Sequence, residues 1–117
     1  MSKPDLTDKT GTPVAVVQKP DRFLALVQGD PAAETLYIDR GRQWVYFHTE
    51  TFEGFGGRGV ARLLVSEALR RTIADGLRIV PVCSLVAGYL DKHPKLQPEV
   101  DEPTEEILDW LGAQLSD

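Results

Sequence analysis

A single cysteine, Cys83, leaves no partner for an internal disulfide and rules out any multi-cysteine zinc or iron–sulfur site. No apolar run approaches the roughly 18 residues of a membrane helix, so no membrane association is expected. The opening stretch Met1-Ser-Lys-Pro-Asp-Leu-Thr-Asp-Lys-Thr has no apolar h-region. No secretory signal is read there, and the cytoplasm is the expected compartment. Basic charge is scarce too, with 13 Lys+Arg against 18 Asp+Glu and a net charge of −5. A nucleic-acid partner, which calls for clustered Lys/Arg, is therefore not expected. What remains is an ordinary globular composition, 42% hydrophobic and 26% charged, in 117 residues. One domain with a core that needs no metal or staple follows from that length.

Breakers divide the chain into short segments. Residues 1–12 are polar and read as a flexible lead-in. Val14–Gln18, Phe23–Val27, Glu34–Ile38 and Trp44–Thr49 are β-type runs bounded by Lys19-Pro20, Gly29-Asp30-Pro31 and Asp39-Arg-Gly-Arg. An antiparallel meander is expected, with Gly41 in a tight turn. The period then changes. From Arg58 to Asp75, Ala61, Leu64, Val65, Ala68, Leu69 and Ile73 recur at helical spacing, and Gly76 is a left-handed stop. The other side carries Arg62, Glu67, Arg70 and Arg71, read as a solvated face with ion-pair spacing. Residues 77–82 form a short apolar strand. Ser84 is the expected N-cap of a second helix, 85–92, which Pro94 ends. After a Pro- and acid-rich stretch, Thr104–Leu115 reads as an amphipathic helix that docks Ile107, Leu108, Trp110, Leu111 and Leu115 on the body. Strand 44–49, helix 58–75 and strand 78–82 make one β–α–β unit with parallel strands.

The glycine cluster therefore falls between the C-terminal end of a strand and the start of a helix, where α/β sheets bind ligands. Gly54-Phe-Gly-Gly-Arg-Gly-Val-Ala carries four glycines in six residues. Bare N–H groups at a helix start suit phosphate oxygens, and Arg58 adds a formal charge. A plain flexible loop is the competing reading. A P-loop fails because Gly59 is followed by Val60-Ala61 instead of Lys-Ser/Thr. The dinucleotide fingerprint fits Gly54, Gly56 and Gly59 literally, but Ile79-Val-Pro-Val-Cys offers no acidic residue for a ribose, and a second mononucleotide half is missing. The diphosphate arm of coenzyme A remains.

Here the stretch resembles the Gcn5-related N-acetyltransferase (GNAT) superfamily, whose loop reads Arg/Gln-x-x-Gly-x-Gly/Ala. The matching register is Gly56-Gly57-Arg58-Gly59-Val60-Ala61, with Gly56 where the family has Arg or Gln. One phosphate contact of the family is thus missing, and Arg58 with the extra glycine N–H stands in for it. His48-Thr-Glu-Thr, Gly76-Leu-Arg-Ile-Val-Pro-Val-Cys and Val86-Ala-Gly-Tyr-Leu-Asp-Lys-His-Pro extend the resemblance to a short single-domain branch, the YjdJ type, over Val14–Leu96. The resemblance implies an α+β, GNAT-like acyl-CoA acyltransferase fold: a mixed sheet, a four-stranded antiparallel meander followed by a parallel β–α–β unit, with helices on its faces. Residues 13–97 would form that domain and 98–117 an acidic linker with an extra C-terminal helix. It further implies acetyl-CoA as co-substrate held by Thr49, Thr51, Gly56, Gly57, Arg58, Gly59, Val60 and Ala61, no metal, and a small-molecule or peptidic amine acceptor. The chain would act as a monomer or weak homodimer. A non-catalytic CoA- or acyl-CoA-binding module is the alternative.

Amine acetylation needs a base, because a protonated amine cannot attack. Alternation along 44–50 puts Tyr46, His48 and Glu50 on one side and Val45, Phe47 and Thr49 on the other. Glu50 is the preferred base, with a solvated strand-end carboxylate as the plain reading; His48 carries an imidazole, the side-chain type suited to proton transfer, but also reads as structural. The oxyanion can be held by backbone N–H groups of the same strand. Cys83, just before a helix start, reads equally as an acetyl-accepting nucleophile or a small packed hydrophobe. By resemblance Tyr89 protonates the departing thiolate; a core tyrosine is the other reading. His93-Pro94 reads as a helix-end pair.

Overall fold

Alternating short apolar runs and turn residues place five strands side by side in one sheet, in the sequence order β1 (Val14–Gln18), β2 (Arg22–Val27), β3 (Asp30–Arg40), β4 (Gln43–Thr51) and β5 (Arg78–Pro81). The computed structural model describes residues 6–116, so residues 1–5 of the expected lead-in lie outside the described part. The first four strands are antiparallel, and β5 joins β4 in parallel after the crossover helix α1 (Val60–Ala74). Helix α2 (Ser84–Asp91), a 3₁₀ turn (Pro94–Glu99) and helix α3 (Glu105–Leu115) complete the chain. Among the described residues no helix is long and apolar enough to cross a membrane.

Two turns differ in detail from the sequence reading. Strand β3 begins at Asp30, four residues before Glu34, because Gln28 (φ 53°) and Gly29 (φ 84°) alone make the turn. Two consecutive positive φ angles are the mark of a type I′ hairpin, which matches strand twist. Pro31 is tolerated inside the strand because the register slips beside it: Leu26 faces Pro31 and Ala25 faces Ala33, which leaves Ala32 as an extra residue. Ser84 is not the N-cap of α2. Cys83 takes that position in an extended conformation (φ −68°, ψ 133°), and Ser84 opens the helix.

The decisive irregularity is in β4. Tyr37 pairs with Tyr46 and Leu36 with His48, so Phe47 has no partner and forms a β-bulge. A bulge reverses the alternation beyond it. The expectation that Tyr46, His48 and Glu50 share a side is thereby corrected. Tyr46 faces α1 and is fully buried, with its hydroxyl 2.7 Å from Thr72 Oγ1, while His48 and Glu50 are exposed on the opposite face. Thr49, expected beside Phe47, instead joins Thr35 and Cys83 on the α1 side.

Helices α1 and α2 cover one face of the sheet. Leu64, Val65, Ala68 and Leu69 of α1 and Val86 and Leu90 of α2 close over Phe23, Ala25, Tyr37 and Tyr46. On the other face, α3 lays Ile107 and Leu111 against Val45 and Val80. The stretch between them is tied in by Asp101, which accepts from Arg78 Nη2 at 2.8 Å and from Gln43 Nε2 at 2.8 Å. Thr104 caps α3 by accepting from the Ile107 N–H.

The expected solvated face holds for Arg62 and Arg70, which are exposed, and the ion-pair spacing is realised, but Glu67 and much of Arg71 are covered. Glu67 is only 6% exposed, and its carboxylate accepts from Arg70 at 2.6 Å and Arg71 at 2.7 Å. Arg71 also donates to the Val16 carbonyl and lies over the Phe23 ring at 5.9 Å. Its long stem thus bridges helix and sheet edge. The two guanidinium donors hold the Glu67 carboxyl below its ordinary value, Arg70 contributing most.

Candidate active site

Strands β4 and β5 pair from Gln43–Arg78 to Tyr46–Pro81 and no further. Beyond that point β4 continues five residues to Thr51, while β5 turns into α2. The Tyr46 carbonyl is the fork: it accepts from both Val82 N–H (3.0 Å) and Cys83 N–H (2.9 Å). Past it, the β4 edge that faced β5 has no strand partner. Cys83 sits at the mouth of this fork, its thiol donating to Thr49 Oγ1 at 3.2 Å, and Thr49 in turn shares a 2.9 Å hydrogen bond with Thr35. The Thr49 hydroxyl is thus already engaged on both sides by protein groups. Thr51 is exposed at the end of β4.

The glycine loop follows. Gly59 is the N-cap of α1 in the left-handed region (φ 77°, ψ 14°), which moves the helix start to Val60 from the expected 58. Its carbonyl takes the first helical bond from Leu63 N–H, and no side chain caps the helix. The N–H groups of Val60, Ala61 and Arg62 therefore lack an intrahelical acceptor, at the positive end of the helix dipole. Val60 and Ala61 have buried side chains, so any ligand contact they make is through the backbone. Around Gly56 and Gly57 the space where a Cβ would sit is open to 4 Å.

Arg58 does not point freely at this space. Its guanidinium donates to Asp8 Oδ2 through Nε (2.8 Å) and Nη2 (2.7 Å) and lies 5.4 Å from the Phe55 ring centroid. Asp8 belongs to an ordered turn within the expected loose lead-in. Its other oxygen accepts from Thr10 Oγ1 (2.6 Å), Thr10 N–H (2.8 Å) and Thr12 N–H (3.0 Å). The turn is clipped to the loop by Lys9 N–H donating to the Arg58 carbonyl at 2.9 Å. Asp8 and Lys9 gave no sequence signal, since only the fold brings residue 8 to residue 58.

These hydrogen bonds, that from the Thr10 hydroxyl foremost, lower the Asp8 pKa from 3.8 to about 2. A depressed carboxyl stabilises the fold above its ordinary pKa, and the contribution is lost as pH falls from 3.8 toward 2. Asp8→Asn is accordingly expected to unfold at a lower temperature than wild type at pH 5, with a melting temperature that falls less between pH 4 and 2. Thermal melts at stepped pH read this directly; parallel pH curves would refute it.

A cleft of about 400 Å³ opens beside the loop, lined by Lys9, Gly59, Arg62, Ser66, Tyr89 and His93 among others. Tyr89 stacks on His93 with ring centroids 4.0 Å apart, and His93 Nδ1 lies 2.7 Å from the Tyr89 carbonyl. On the opposite face of the sheet the bulge brings Glu34, His48 and Glu50 together, their ligand atoms within 4.8 Å of one another. His48 Nε2 is 3.4 Å from Glu50 Oε1, and Glu34 is held by Arg22 at 2.6 Å. Glu34, opposite Glu50 in register, was missed in the sequence because nothing local links residues 34 and 50. This set can attract a cation or relay a proton. The structure thus puts Glu50 and His48 on one face of the fork and Cys83 on the other.

A mixed sheet that forks between two parallel strands, beside a glycine-rich helix start, is the frame of an acyl-transfer protein. A family model described as GCN5-related N-acetyl-transferase matches residues 22–99, two thirds of the chain. The protein belongs to this acetyltransferase family. No curated protein matches the chain. Among solved structures it is similar to an aminoglycoside acetyltransferase from an uncultured soil metagenomic sample, crystallised with trehalose. The two are 12% identical with a TM-score of 0.46, over 74% of this chain and 63% of that one. This protein thus spans less than two thirds of that neighbour's length.

Proposed function

We propose that the protein transfers the acetyl group of acetyl-CoA to the amine of a small or peptidic acceptor. Family membership supports acetyl transfer, and the observation that carries the rest is the fork. It offers an unpaired strand edge, followed along the chain by the glycine loop and three helix-start amides without intrahelical acceptors. In this reading the diphosphate lies against the N–H groups of residues 56–61 and the thioester enters between β4 and β5. The acceptor approaches from the face that carries Glu34, His48 and Glu50. Those carboxylates attract a protonated amine, and Glu50, with His48 beside it, takes the proton so that nitrogen can attack the thioester carbonyl. A backbone N–H of the free β4 edge receives the oxyanion. As the carbon–sulfur bond breaks, Tyr89 returns a proton to the thiolate of CoA.

A second reading is favoured by the place of Cys83 at the fork and at the N-cap of α2, with its sulfur 3.2 Å from Thr49 Oγ1. There the thiolate would attack the thioester, carry the acetyl group and release CoA before the amine arrives. Titration calorimetry with acetyl-CoA, followed by intact mass after incubation, tests both. Binding with an acetyl adduct that disappears in Cys83→Ala supports the covalent route; binding and undiminished amine transfer in that variant supports the direct one. Binding without transfer to any of a panel of amines would leave a CoA-binding module. No heat at millimolar acetyl-CoA would refute all three.

A further inference from the structure

The glycine loop supplies dipoles but no net charge. Its one basic residue, Arg58, is neutralised by Asp8, whose side chain is wholly buried against it, so the pair presents no net charge to a ligand. A diphosphate has at least two negative charges to be met. Six arginines of the described chain, Arg22, Arg40, Arg58, Arg70, Arg71 and Arg78, are in ion pairs; among the described residues Lys9, Lys19, Arg42, Arg62, Lys92 and Lys95 are in none, and two of these, Lys9 and Arg62, lie by the glycine loop. Both line the cleft beside Gly59.

Lys9 is built into this position. Its N–H is bonded to the Arg58 carbonyl at 2.9 Å, and its stem runs over Gly59, where an added Cβ would come within 3.3 Å of Lys9 Cε and 3.4 Å of Cγ. The absence of a side chain at residue 59 thus opens both the left-handed cap and the path for the lysine. The Asp8 hub, with its bonds to Thr10 and Thr12, sets the shape of the turn that carries Lys9.

We propose that Lys9, carried by the turn of residues 7–13, is the cationic ligand of the co-substrate's diphosphate, and that Asp8 is the positioning residue that holds Arg58 out of that role. This rests on the acetyl-CoA reading above and assigns part of the binding site to a segment upstream of the family match at 22–99. Lys9→Met is the cleanest test, since it keeps the stem packed on Gly59 and deletes only the ammonium. By calorimetry its Kd for CoA should rise about tenfold, the effect of one charged hydrogen bond at a half-open site. The same factor should appear with dephospho-CoA, which retains the diphosphate and lacks the 3′-phosphate. Lys9→Arg should stay within about twofold of wild type, as should Lys19→Ala, which removes the same charge at the far β1–β2 turn.

Unchanged or tighter CoA binding by Lys9→Met would overturn the proposal, tighter binding meaning that the turn closes the cleft. A loss seen with CoA but not dephospho-CoA would overturn the assignment to the diphosphate. Wild-type protein that binds no CoA at all would overturn the acetyl-CoA reading itself. Wild-type binding with an indifferent Lys9 refutes only the inference. Asp8→Asn releases the Arg58 charge beside the same cleft, so in the Lys9→Met background it should bring the Kd for CoA back toward wild type; no recovery in a double variant that melting curves at pH 7 show to be folded would overturn the role given to Asp8.

Discussion

Glu50→Gln is expected to lower kcat for amine acetylation by about 10²-fold at neutral pH, with the Kd for acetyl-CoA unchanged. The magnitude is that of removing a positioned general base. The split between kcat and cofactor binding follows from the bulge at Phe47, which puts residue 50 on the face away from Cys83 and α1. Glutamine keeps the size and a hydrogen-bonding oxygen for His48 Nε2, now 3.4 Å from Glu50 Oε1, but cannot accept the proton. Glu34 stands across the strand pair yet is engaged by Arg22 at 2.6 Å, so it is a poor substitute. Steady-state kinetics as a function of pH, with binding measured in parallel, check the expectation. A kcat within about twofold of wild type would remove Glu50 from the chemistry and move attention to Cys83.

The largest loss of stability is expected at the other side of the same bulge. Tyr46→Ala should lower the unfolding free energy by about 3–5 kcal/mol, the range for deleting a large aromatic ring from a core. The ring is fully buried and tilted against Tyr37 at 5.7 Å between centroids. Its removal also frees space directly beneath the carbonyl that anchors Val82 and Cys83, so the fork itself should loosen. Tyr46→Phe separates the two effects. It removes the 2.7 Å hydrogen bond to Thr72 and a long 3.5 Å one to the Ala68 carbonyl, which still accepts from the Thr72 hydroxyl, and should cost about 1 kcal/mol. Denaturant unfolding of both variants measures the difference; a loss under about 1.5 kcal/mol for Tyr46→Ala would mean that the core closes over the gap. Burial raises the Tyr46 hydroxyl pKa, so the phenol stays neutral throughout.

Much of the framework was legible because it is written in short-range patterns. Helix α1 is announced by a helical period from Ala61 to Ile73 and a glycine at 76, and the run falls within one residue of its observed end. Strands β1 and β2 are announced by apolar runs closed by Pro20 and Gly29. The helix-start loop with its bare amides was legible for the same reason, since glycine content and the change of period are local. Ends were less so: the turn at Gln28-Gly29 depends on twist matching, which Asp30-Pro31 disguised.

What stayed hidden is whatever depends on contact across the fold. The bulge at Phe47 exists because β3 and β4 must both bury Tyr37 and Tyr46 under α1 while returning His48 to the open face, and no property of residue 47 alone encodes it. The partner of Arg58 lies 50 residues away in a stretch with no apolar signal, so the guanidinium looked free. Glu67 looked solvated for the same reason, because only folding brings Val16 and Phe23 over Arg71. The sequence by itself determined the kinds of elements and the place of the glycine loop between strand and helix, since backbone preference and apolar period act over a few residues. The tertiary structure decided which charges are neutralised and which side chains face the fork, because pairing between distant residues depends on register and packing that no local pattern contains.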